Sequence, residues 1–402
     1  MAGPSSMRVI IAGAGVAGLT AALSLHAAGI TDVTVHEAVE EIQPLGVGIN
    51  LLPHAVRELM ELGLGDRLAE AGVATADLTF LNPRGQRIWS EPRGRAAGYR
   101  WPQYSIHRGR LLLLLLDAVR ERLGPGAVVL GSRITDLDHD ADLLIGADGI
   151  RSDVRRALFP DEGEPVPGGD VLWRGTTYGR PFMTGRSMLM IGDRTQKLVI
   201  YPIAPPSDDG TQLINWAVQH RTDVQGVPTG DWNQPIGVSK VLPHVQGWHC
   251  DELDVCALVV GAAQVLEYPL VDRDPLPYWS KGNVTLLGDA AHPMYPTGSN
   301  GGTQAVIDAR VLAYALANDL GLAFYEEQRR PVTGEIVLAN RKDGPEVILK
   351  IADERAPLGF SDIEYVMPRA EREEIALHYK RLAGFEPATL NARRSWSVPL
   401  SG

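Results

Sequence analysis

The opening of the chain alternates short apolar runs with a glycine-rich turn. Residues 8–12, in which a β-branched apolar run follows Arg8, predict a buried strand, and residues 16–28, rich in Ala and Leu, predict a helix. A second strand is predicted at residues 32–37. Residues 9–30 carry no Asp, Glu, Lys or Arg, but their glycines favour a strand, turn and helix over a membrane span. This order predicts the first βαβ unit of a doubly wound parallel sheet.

The pattern of apolar positions changes twice further along the chain. Between residues 171 and 270, β-branched and aromatic residues alternate with polar ones, which predicts an antiparallel sheet. Beyond residue 331 the pattern is helical and strongly charged up to about residue 383. Buried strands are also predicted at residues 143–145 and 284–287, and helices at residues 51–64, 111–123 and 303–318. The parallel parts thus flank the antiparallel part, and we predict two domains interleaved in sequence.

The first turn carries the spacing of a dinucleotide-binding motif. Gly13 permits a tight turn, Gly15 lets the backbone approach a pyrophosphate, and Gly18 allows the helix to pack closely on the strand. Val16 and Ala17 open the helix, whose free N–H groups and positive dipole end favour phosphate. Glu37 ends the second strand, where a carboxylate accepts hydrogen bonds from a ribose. The motif predicts dinucleotide binding but does not separate FAD from NAD.

A second acidic turn follows the strand at residues 143–145. Asp148 and Gly149 form a turn signal, Ser152 is a candidate helix cap, and we expect Arg155 to reach back over that helix. Without a family to compare, this run predicts a strand, turn and helix and nothing more specific.

A third turn follows the strand at residues 284–287. Asp289 lies at the strand end, placed to bind a chain of hydroxyl groups. The long turn after it contains Gly298, Gly301 and Gly302 and opens a helix, whose N–H groups could stabilise negative charge such as that on a reduced flavin. The alternative is a capped connection between a strand and a helix, with no ligand.

These three motifs together resemble the group A flavoprotein monooxygenases, whose best-known members hydroxylate hydroxybenzoates. The order and spacing fit from residue 8 to about residue 340. Two further segments resemble the family: the loop PLGVGIN at residues 44–50, expected against the isoalloxazine ring, and Ile106-His107-Arg108 at a helix start. The segments at 89–94, 101–109, 173–175 and 268–277 resemble the phenazine monooxygenase branch, which forms pyocyanin.

The resemblance implies an α/β fold with interleaved domains. A Rossmann-like FAD-binding domain is expected at residues 1–80, 105–175 and 275–345. An antiparallel-sheet substrate domain is expected at residues 81–104 and 176–274, and C-terminal helices at residues 346–402.

The resemblance also assigns roles to individual residues around FAD. The glycine turn would bind the pyrophosphate, Glu37 the adenosine ribose, and Asp289 the ribityl chain. Arg108 would contact the diphosphate or ribityl region, and Asp148 would serve FAD and a passing NADH or NADPH. The full expected set is Gly13, Gly15, Val16, Ala17, Gly18, Glu37, Val47, Gly48, Arg108, Asp148, Asp289, Gly298, Gly301 and Gly302.

The chain departs from the family pattern at two places. Only residues 136–142 remain where the family has a longer β-hairpin, so we expect a more open adenine end. His54 replaces a frequent Asn. An imidazole near the cofactor could transfer protons, whereas a lone histidine is more often simply packed or solvated.

The resemblance implies hydroxylation of a small aromatic ring in secondary metabolism. NADH or NADPH would reduce FAD, and O2 would then form the flavin C4a-hydroperoxide that attacks the ring. A phenazine carboxylate is a candidate substrate, with loss of CO2 if the carboxylate is on the attacked carbon. Arg174 could bind that carboxylate in a bidentate manner, or form a surface or interdomain ion pair instead. Tyr201, Trp216 and Pro296 are the other candidates for the pocket wall.

Composition narrows the partners and the compartment. A net charge of -11 disfavours nucleic acid, and the chain lacks the basic clusters that bind anionic membranes. The only two cysteines, Cys250 and Cys256, fit neither a zinc site nor a disulfide framework, and no metal is expected. We therefore expect a cytoplasmic enzyme, either a monomer or a homodimer, with an aromatic substrate and O2.

Two other kinds of function remain compatible with the same motifs. One is a flavoprotein of this fold with different chemistry, such as an epoxidase or a dehydrogenase, which incorporation of labelled oxygen would separate. The other is a non-catalytic nucleotide-binding module, which would not oxidise NADH or NADPH with any aromatic.

Overall fold

The strands form one mainly parallel sheet, one mainly antiparallel sheet and one small antiparallel sheet in a computed structural model that describes residues 7–44, 46–222 and 234–398. Within these ranges the strands, numbered β1 to β17 in chain order, are Val9–Ala12, Val33–His36, Gly48–Leu51, Val73–Ala74, Asp77–Leu81, Arg87–Pro92, Tyr104–His107, Val128–Val129, Leu143–Gly146, Val166–Gly179, Ser187–Gly192, Gln196–Pro202, Gln212–Arg221, Gln234–Ile236, Val265–Asp272, Ser280–Lys281 and Val284–Leu286. Helices α1 to α12 are Val16–Ala27, Pro53–Glu61, Gly65–Ala71, Arg108–Leu123, Asp153–Leu158, Leu242–Val245, Val255–Val260, Gly301–Ala317, Gly321–Asn340, Val347–Arg355, Arg369–Leu382 and Pro387–Ala392.

A six-stranded sheet contains the predicted βαβ unit. Its order is β16-β17-β9-β1-β2-β8, and every pairing is parallel except the one between β16 and β17. Every residue of β1 is buried, as expected for a central apolar strand covered on both faces. Helices α1, α4 and α8 contribute their apolar residues to the core around this sheet. The predicted Rossmann-like architecture is confirmed.

An eight-stranded sheet makes up most of the second layer. Its order is β14-β15-β10-β13-β12-β11-β5-β6, and the pairing of β11 with β5 is parallel whereas the others are antiparallel. One face buries Trp173 and Trp216 together with apolar residues of α6 and α7. A small sheet of β3, β7 and β4 is antiparallel as well.

Two of the expected domain boundaries lie inside strands of the eight-stranded sheet. Asp77–Leu81 contains the boundary after residue 80, and Val166–Gly179 contains the one after residue 175. Both strands pair along their length within that sheet, so each belongs to it as a whole. These two domain boundaries are therefore better placed in the loops that precede the two strands.

The C-terminal helices cover both layers. Ile348 and Leu349 of α10 pack in one cluster with Met188 and Met190 of the eight-stranded sheet. Tyr379 of α11 belongs to another cluster together with Leu52, Ile336 and Phe385. None of the helices in the described ranges is both long and apolar enough to cross a membrane.

Candidate active site

Four parallel strands end at one large cavity. The chain leaves β1 into the turn at Gly13, β2 into Glu37, β9 into the turn at Asp148, and β17 into the turn at Asp289. All four turns line a cavity of about 620 Å³, hereafter the nucleotide cavity. Ligands in open α/β sheets bind at this carboxyl edge because the turns present free backbone groups there.

Most of the residues expected to bind the cofactor meet in this cavity. Gly18 and Val47 do not line it, and Gly298 lines a neighbouring cavity instead. Those that line the nucleotide cavity are Gly13, Gly15, Val16, Ala17, Glu37, Gly48, Arg108, Asp148, Asp289, Gly301 and Gly302.

The glycines of the first turn differ in their surroundings: two are packed against backbone atoms, and one faces open space in the cavity. Gly13 has φ 101°, and a Cβ atom there would lie 2.5 Å from the carbonyl oxygen of Ala147. A Cβ atom at Gly18 would lie 2.0 Å from the carbonyl oxygen of Gly13. At Gly15 a Cβ atom would meet nothing within 4 Å, because that side faces the cavity. The space beside Gly15 fits a pyrophosphate group of FAD.

Glu37 is fixed at the rim of the cavity by the backbone. Its Oε2 accepts a hydrogen bond of 2.8 Å from the amide of Ala14, and its Oε1 accepts one of 3.2 Å from the amide of Val39. A carboxylate in this position can accept further hydrogen bonds from ribose hydroxyls and repels a 2′-phosphate.

Asp148 lines the cavity and leaves one carboxylate oxygen without a hydrogen bond. Its Oδ2 accepts hydrogen bonds from the amides of Asp153, at 2.8 Å, and Val154, at 3.3 Å, and so caps α5. Its Oδ1 is buried with no hydrogen-bond partner, and burial raises the pKa of this carboxyl group above its ordinary value. An unpartnered buried acceptor in the wall indicates a missing donor, such as a cofactor hydroxyl.

Asp289 lies deep in the molecule, but its side chain is exposed because it faces the nucleotide cavity. Burial within the fold raises the pKa of Asp289, while His292 and Arg108 act to lower it. The hydroxyl groups of a ribityl chain would donate hydrogen bonds to this carboxylate. The residues of the cavity therefore fit FAD.

Arg155 joins two of the sequence motifs directly. Its guanidinium donates hydrogen bonds of 3.0 Å to the carbonyl oxygens of Ala290 and Ala291, which follow Asp289. It also donates to Glu162, with Nε at 2.7 Å from Oε2. We expected Arg155 to reach back over its own helix, and this part of the prediction is wrong because the side chain extends to the neighbouring turn.

A second cavity lies under the eight-stranded sheet and shares five lining residues with the first. Its volume is about 110 Å³, and we call it the ring cavity. Alternate residues of β10, β13, β12, β11 and β5 form its roof, as expected when one face of a sheet covers a site. The residues that line both cavities are Asn50, Arg174, Tyr201, Pro296 and Ser299.

Three of the four residues expected in the pocket wall lie at this junction: Arg174, Tyr201 and Pro296. Trp216 does not line either cavity. It is fully buried on the opposite face of the sheet, where its Nε1 donates a 3.2 Å hydrogen bond to Oγ1 of Thr177. Its neighbour Ala217 faces the ring cavity instead, because adjacent strand residues point to opposite faces.

Arg174 is a half-buried cation at the junction. Its Nη2 donates a 2.9 Å hydrogen bond to the carbonyl oxygen of Gly48, and its Nε is buried without a partner. The guanidinium carbon lies 5.8 Å from the ring centroid of Tyr268. In the described part of the chain no carboxylate pairs with it, and its side chain hydrogen-bonds that of Tyr201 instead, so the ion-pair alternative is not observed. Burial lowers the pKa of Arg174, and an anionic ligand would stabilise its charge.

His54 lines neither cavity. Its side chain is 1% exposed, it stacks on Phe385 with ring centroids 5.0 Å apart, and its Nε2 lies 3.3 Å from Nε2 of Gln304. Burial, reinforced by nearby arginines, lowers the pKa of His54 well below its ordinary value. These contacts support a packing role rather than proton transfer.

Several residues of the ring cavity were not expected from the sequence. The amide of Gly298 donates a 3.0 Å hydrogen bond to Oε1 of Glu346, whose other oxygen pairs with Lys197. Glu91, Arg93 and Lys380 form a further charged group in the wall. Apart from Glu91 and Arg93, which are neighbours in sequence, these contacts join distant parts of the chain, so no local pattern identifies them.

Known proteins resemble the chain in sequence and in structure. The model of the FAD binding domain family matches residues 6–110 and 273–339. A phenazine 1,6-dicarboxylic acid hydroxylase of Lysobacter antibioticus is 45% identical over 83% of this chain and 89% of its own. A 3-amino-4-hydroxybenzoate 2-monooxygenase of Streptomyces platensis is 32% identical over 96% and 98%. The structure of Klebsiella pneumoniae HpxO with FAD and uric acid superposes with a TM-score of 0.73 at 23% identity, covering 98% of each chain.

Proposed function

Because the chain belongs to the family of FAD-dependent aromatic monooxygenases, we propose that it hydroxylates a phenazine carboxylate whose carboxylate binds Arg174. The observation that carries this proposal is the guanidinium of Arg174 at the junction of the two cavities, which pairs with no carboxylate of the described residues and whose Nε is buried without a partner. An aromatic acid bound there would place its ring in the ring cavity and its carboxylate at the flavin end. The 45% identity to a phenazine dicarboxylic acid hydroxylase supports a phenazine substrate.

FAD in the nucleotide cavity, reduced by NADH or NADPH, supplies the chemistry that transfers one oxygen atom of O2 to an aromatic ring. Around it we assign the glycine turn to the pyrophosphate, Glu37 to the ribose, and Asp289 to the ribityl chain. The turn at Gly301 and Gly302 opens α8 with free N–H groups, which favour negative charge at that edge of the ring system.

The ring cavity would bind the planar substrate mainly through apolar contacts. Leu78, Phe80, Met190 and Val199 form much of its roof and exclude water from the reacting carbon. Its volume of about 110 Å³ is smaller than that of most ligand pockets, which are roughly 300–1,000 Å³. Flexible methionines such as Met190 can repack to admit a larger ring.

Arg174 would orient the substrate by its carboxylate. A guanidinium and a carboxylate bind in a planar, bidentate geometry, which fixes the in-plane rotation of the ring. If the carboxylate is on the attacked carbon, the ring gains a hydroxyl group and loses CO2, while the second oxygen atom of O2 leaves as water. If it is elsewhere, the ring gains the hydroxyl group and keeps the carboxylate.

The test is turnover of the FAD-loaded enzyme with phenazine-1-carboxylate and phenazine-1,6-dicarboxylate under oxygen-18-labelled O2. We expect oxidation of NADH or NADPH that depends on the phenazine and a product that carries one labelled oxygen atom. Arg174→Gln should raise KM by about tenfold or more, whereas Arg174→Lys should recover part of the loss. Reductant oxidation without labelled product, for either phenazine and for simpler aromatic acids, would reject the hydroxylase assignment for these substrates.

We also infer a cytoplasmic enzyme without a nucleic-acid or membrane partner. The net charge of -11 and the free thiols of Cys250 and Cys256 support this inference, as does the need for NADH or NADPH. Either a monomer or a homodimer is compatible with it. Fractionation of the source cells followed by gel filtration would test it.

A further inference from the structure

The ring cavity carries more positive than negative side chains. Arg93, Lys197, Lys380 and Arg174 line it, and the only acidic side chains among its lining residues are Glu91 and Glu346. Lys197 pairs with Glu346, which leaves Glu91 to balance the charge of the other three. The cavity therefore has two positive charges in excess.

The two excess charges lie in different parts of the wall. Arg174 is on β10, and Glu91 is on β6, with β13, β12, β11 and β5 between them in the sheet. Neighbouring strands are roughly 4.8 Å apart, so the two strands are separated by about 24 Å measured along the sheet. The long side chains on both sides shorten the gap between the charged groups.

Glu91 is shared by two cations, Arg93 and Lys380, which we call the distal cation pair. Its Oε1 lies 2.8 Å from Nη2 of Arg93, and its Oε2 accepts a 2.6 Å hydrogen bond from Nζ of Lys380. All three side chains are largely buried, with exposed fractions of 8% for Glu91, 13% for Arg93 and 16% for Lys380. Burial acts to raise the pKa of Glu91, but the two cations hold it below its ordinary value. One carboxylate thus balances only one of the two cations.

Arg93 has an unused donor. Its Nε is buried with no hydrogen-bond partner, as is Nε of Arg174 at the other end of the cavity. Buried donors and buried charges without partners are unfavourable, and native proteins pair nearly all of them. Each end of the ring cavity therefore lacks one anionic acceptor.

We infer that Arg93 and Lys380 form a second anion subsite, which binds the far carboxylate of a planar aromatic dicarboxylate while Arg174 binds the near one. The inference rests on the proposed function for the near carboxylate and the ring. The distal cation pair would then distinguish dicarboxylates from monocarboxylates. Lys197 is excluded from this subsite because Glu346, its partner, also accepts the amide of Gly298 and supports the loop there.

The test compares dissociation constants of the FAD-loaded enzyme for phenazine-1,6-dicarboxylate and phenazine-1-carboxylate, read from the change in flavin absorbance without reductant. Arg93→Gln and Lys380→Gln should each weaken dicarboxylate binding by about tenfold or more and change monocarboxylate binding by less than about twofold. Glu91→Gln adds to the excess positive charge and should strengthen dicarboxylate binding. The opposite signs separate charge complementarity from damage to packing.

Matched controls are Arg95→Gln and Arg381→Gln, two exposed arginines beside the subsite residues in sequence. They should leave both dissociation constants unchanged. If Arg93→Gln does not fold, Lys380→Gln removes the same excess charge. Equal weakening for both ligands, or none for the dicarboxylate, would overturn the inference.

The same variants are titrated with naphthalene-2,6-dicarboxylate and 2-naphthoate. One outcome is that the enzyme binds no phenazine, but the Arg93 and Lys380 variants lose affinity for the naphthalene dicarboxylate and not for 2-naphthoate. This outcome would support the second subsite and reject the phenazine assignment. The other outcome is that the enzyme turns over phenazine-1-carboxylate, but the variants show no selective loss of affinity for the dicarboxylate among the phenazines or the naphthalenes. This outcome would support the proposed function and overturn the second subsite.

Discussion

The hydroxyl oxygen of Tyr379 lies 2.4 Å from the position that a Cβ atom would occupy on Gly298. Tyr379 belongs to α11, and Gly298 belongs to the turn that lines the ring cavity. The same hydroxyl donates a 2.8 Å hydrogen bond to Oδ1 of Asn340 and accepts one of 3.0 Å from Asn300. Helix α11 therefore fixes the conformation of a turn in the candidate active site.

Gly298→Ala should destabilise the protein markedly. Gly298 has φ 67°, a conformation that costs a residue with a side chain about 1–3 kcal/mol, and the new methyl group would also displace Tyr379. The free energy of unfolding in urea measures the effect. Tyr379→Phe is the matched change, which removes the hydroxyl without a clash and should cost only about 1 kcal/mol. A Gly298→Ala variant as stable as the wild type would contradict the close packing.

Gly15→Ala and Gly18→Ala should have different effects although they belong to one motif. A Cβ atom at Gly18 overlaps a backbone oxygen, so we expect a loss of stability of about 1–3 kcal/mol or more in the FAD-free protein. A Cβ atom at Gly15 enters free space, so stability should change by less than about 0.5 kcal/mol. FAD affinity should nevertheless fall by about tenfold or more, because the methyl group occupies the pyrophosphate space.

Thermal unfolding of the FAD-free variants and fluorescence titration with FAD distinguish these two effects. Unchanged FAD affinity in Gly15→Ala would show that the cofactor does not approach the turn at this residue.

Arg155→Met should be among the most destabilising substitutions in the nucleotide-binding layer. The side chain is 1% exposed and binds Glu162 and the carbonyl oxygens of Ala290 and Ala291. Removing one partner of a buried charged network costs about 3–5 kcal/mol. We also expect weaker FAD binding, since Asp289 immediately precedes the released carbonyl groups.

Arg156→Gln is the control for Arg155→Met. Its side chain is 68% exposed and pairs with Asp153 at 2.8 Å, and such surface pairs contribute at most about 1 kcal/mol. Urea unfolding of both variants gives the comparison. Similar losses at the two positions would mean that the buried contacts of Arg155 do not stabilise the fold.

His54 should make the stability depend on pH below neutrality. Burial first, and then Arg393, Arg329 and Arg57, hold its pKa well below 6.5 in the folded protein. The unfolded chain takes up a proton near pH 6.5 and the folded chain does not, so stability falls as the pH drops below that value. Between roughly pH 7 and roughly pH 5.5, the free energy of unfolding of His54→Asn should fall by about 1 kcal/mol less than that of the wild type.

Urea unfolding at both pH values measures this difference. His54→Gln also removes the imidazole and should show the same reduced pH dependence as His54→Asn. A His54→Asn variant with the full wild-type pH dependence would contradict the neutral, buried state of His54.

The parts of the site that follow local rules could be predicted from the sequence. The strand, turn and helix at residues 9–27 depend on apolar periodicity and on three glycines within six residues, and both signals are local. Asp289 is marked by its place directly after a buried strand, whereas the cofactor role of Asp148 is implied only by the family resemblance. Parallel strands bring these turns to one edge, which explains why their residues meet.

Two kinds of feature could not be predicted from local patterns. Alternation along β13 shows that residues 216 and 217 point to opposite faces but does not tell which face covers the ring, so Trp216 was chosen instead of Ala217. The contact between Lys380 and Glu91 joins residues 289 positions apart. Only the packing of α11 beneath the eight-stranded sheet brings them together.

The strand β9 pairs with β1 on one side and with β17 on the other. On the ribosome, β9 emerges long before β17, which follows the whole eight-stranded sheet in the chain. Until residue 286 has been made, β9 presents an unpaired apolar edge that can aggregate or recruit chaperones. Because Asp289 follows β17, a nascent chain cannot bind the cofactor through its complete site before that point. A chain that retains FAD through the complete site has therefore been synthesised beyond β17.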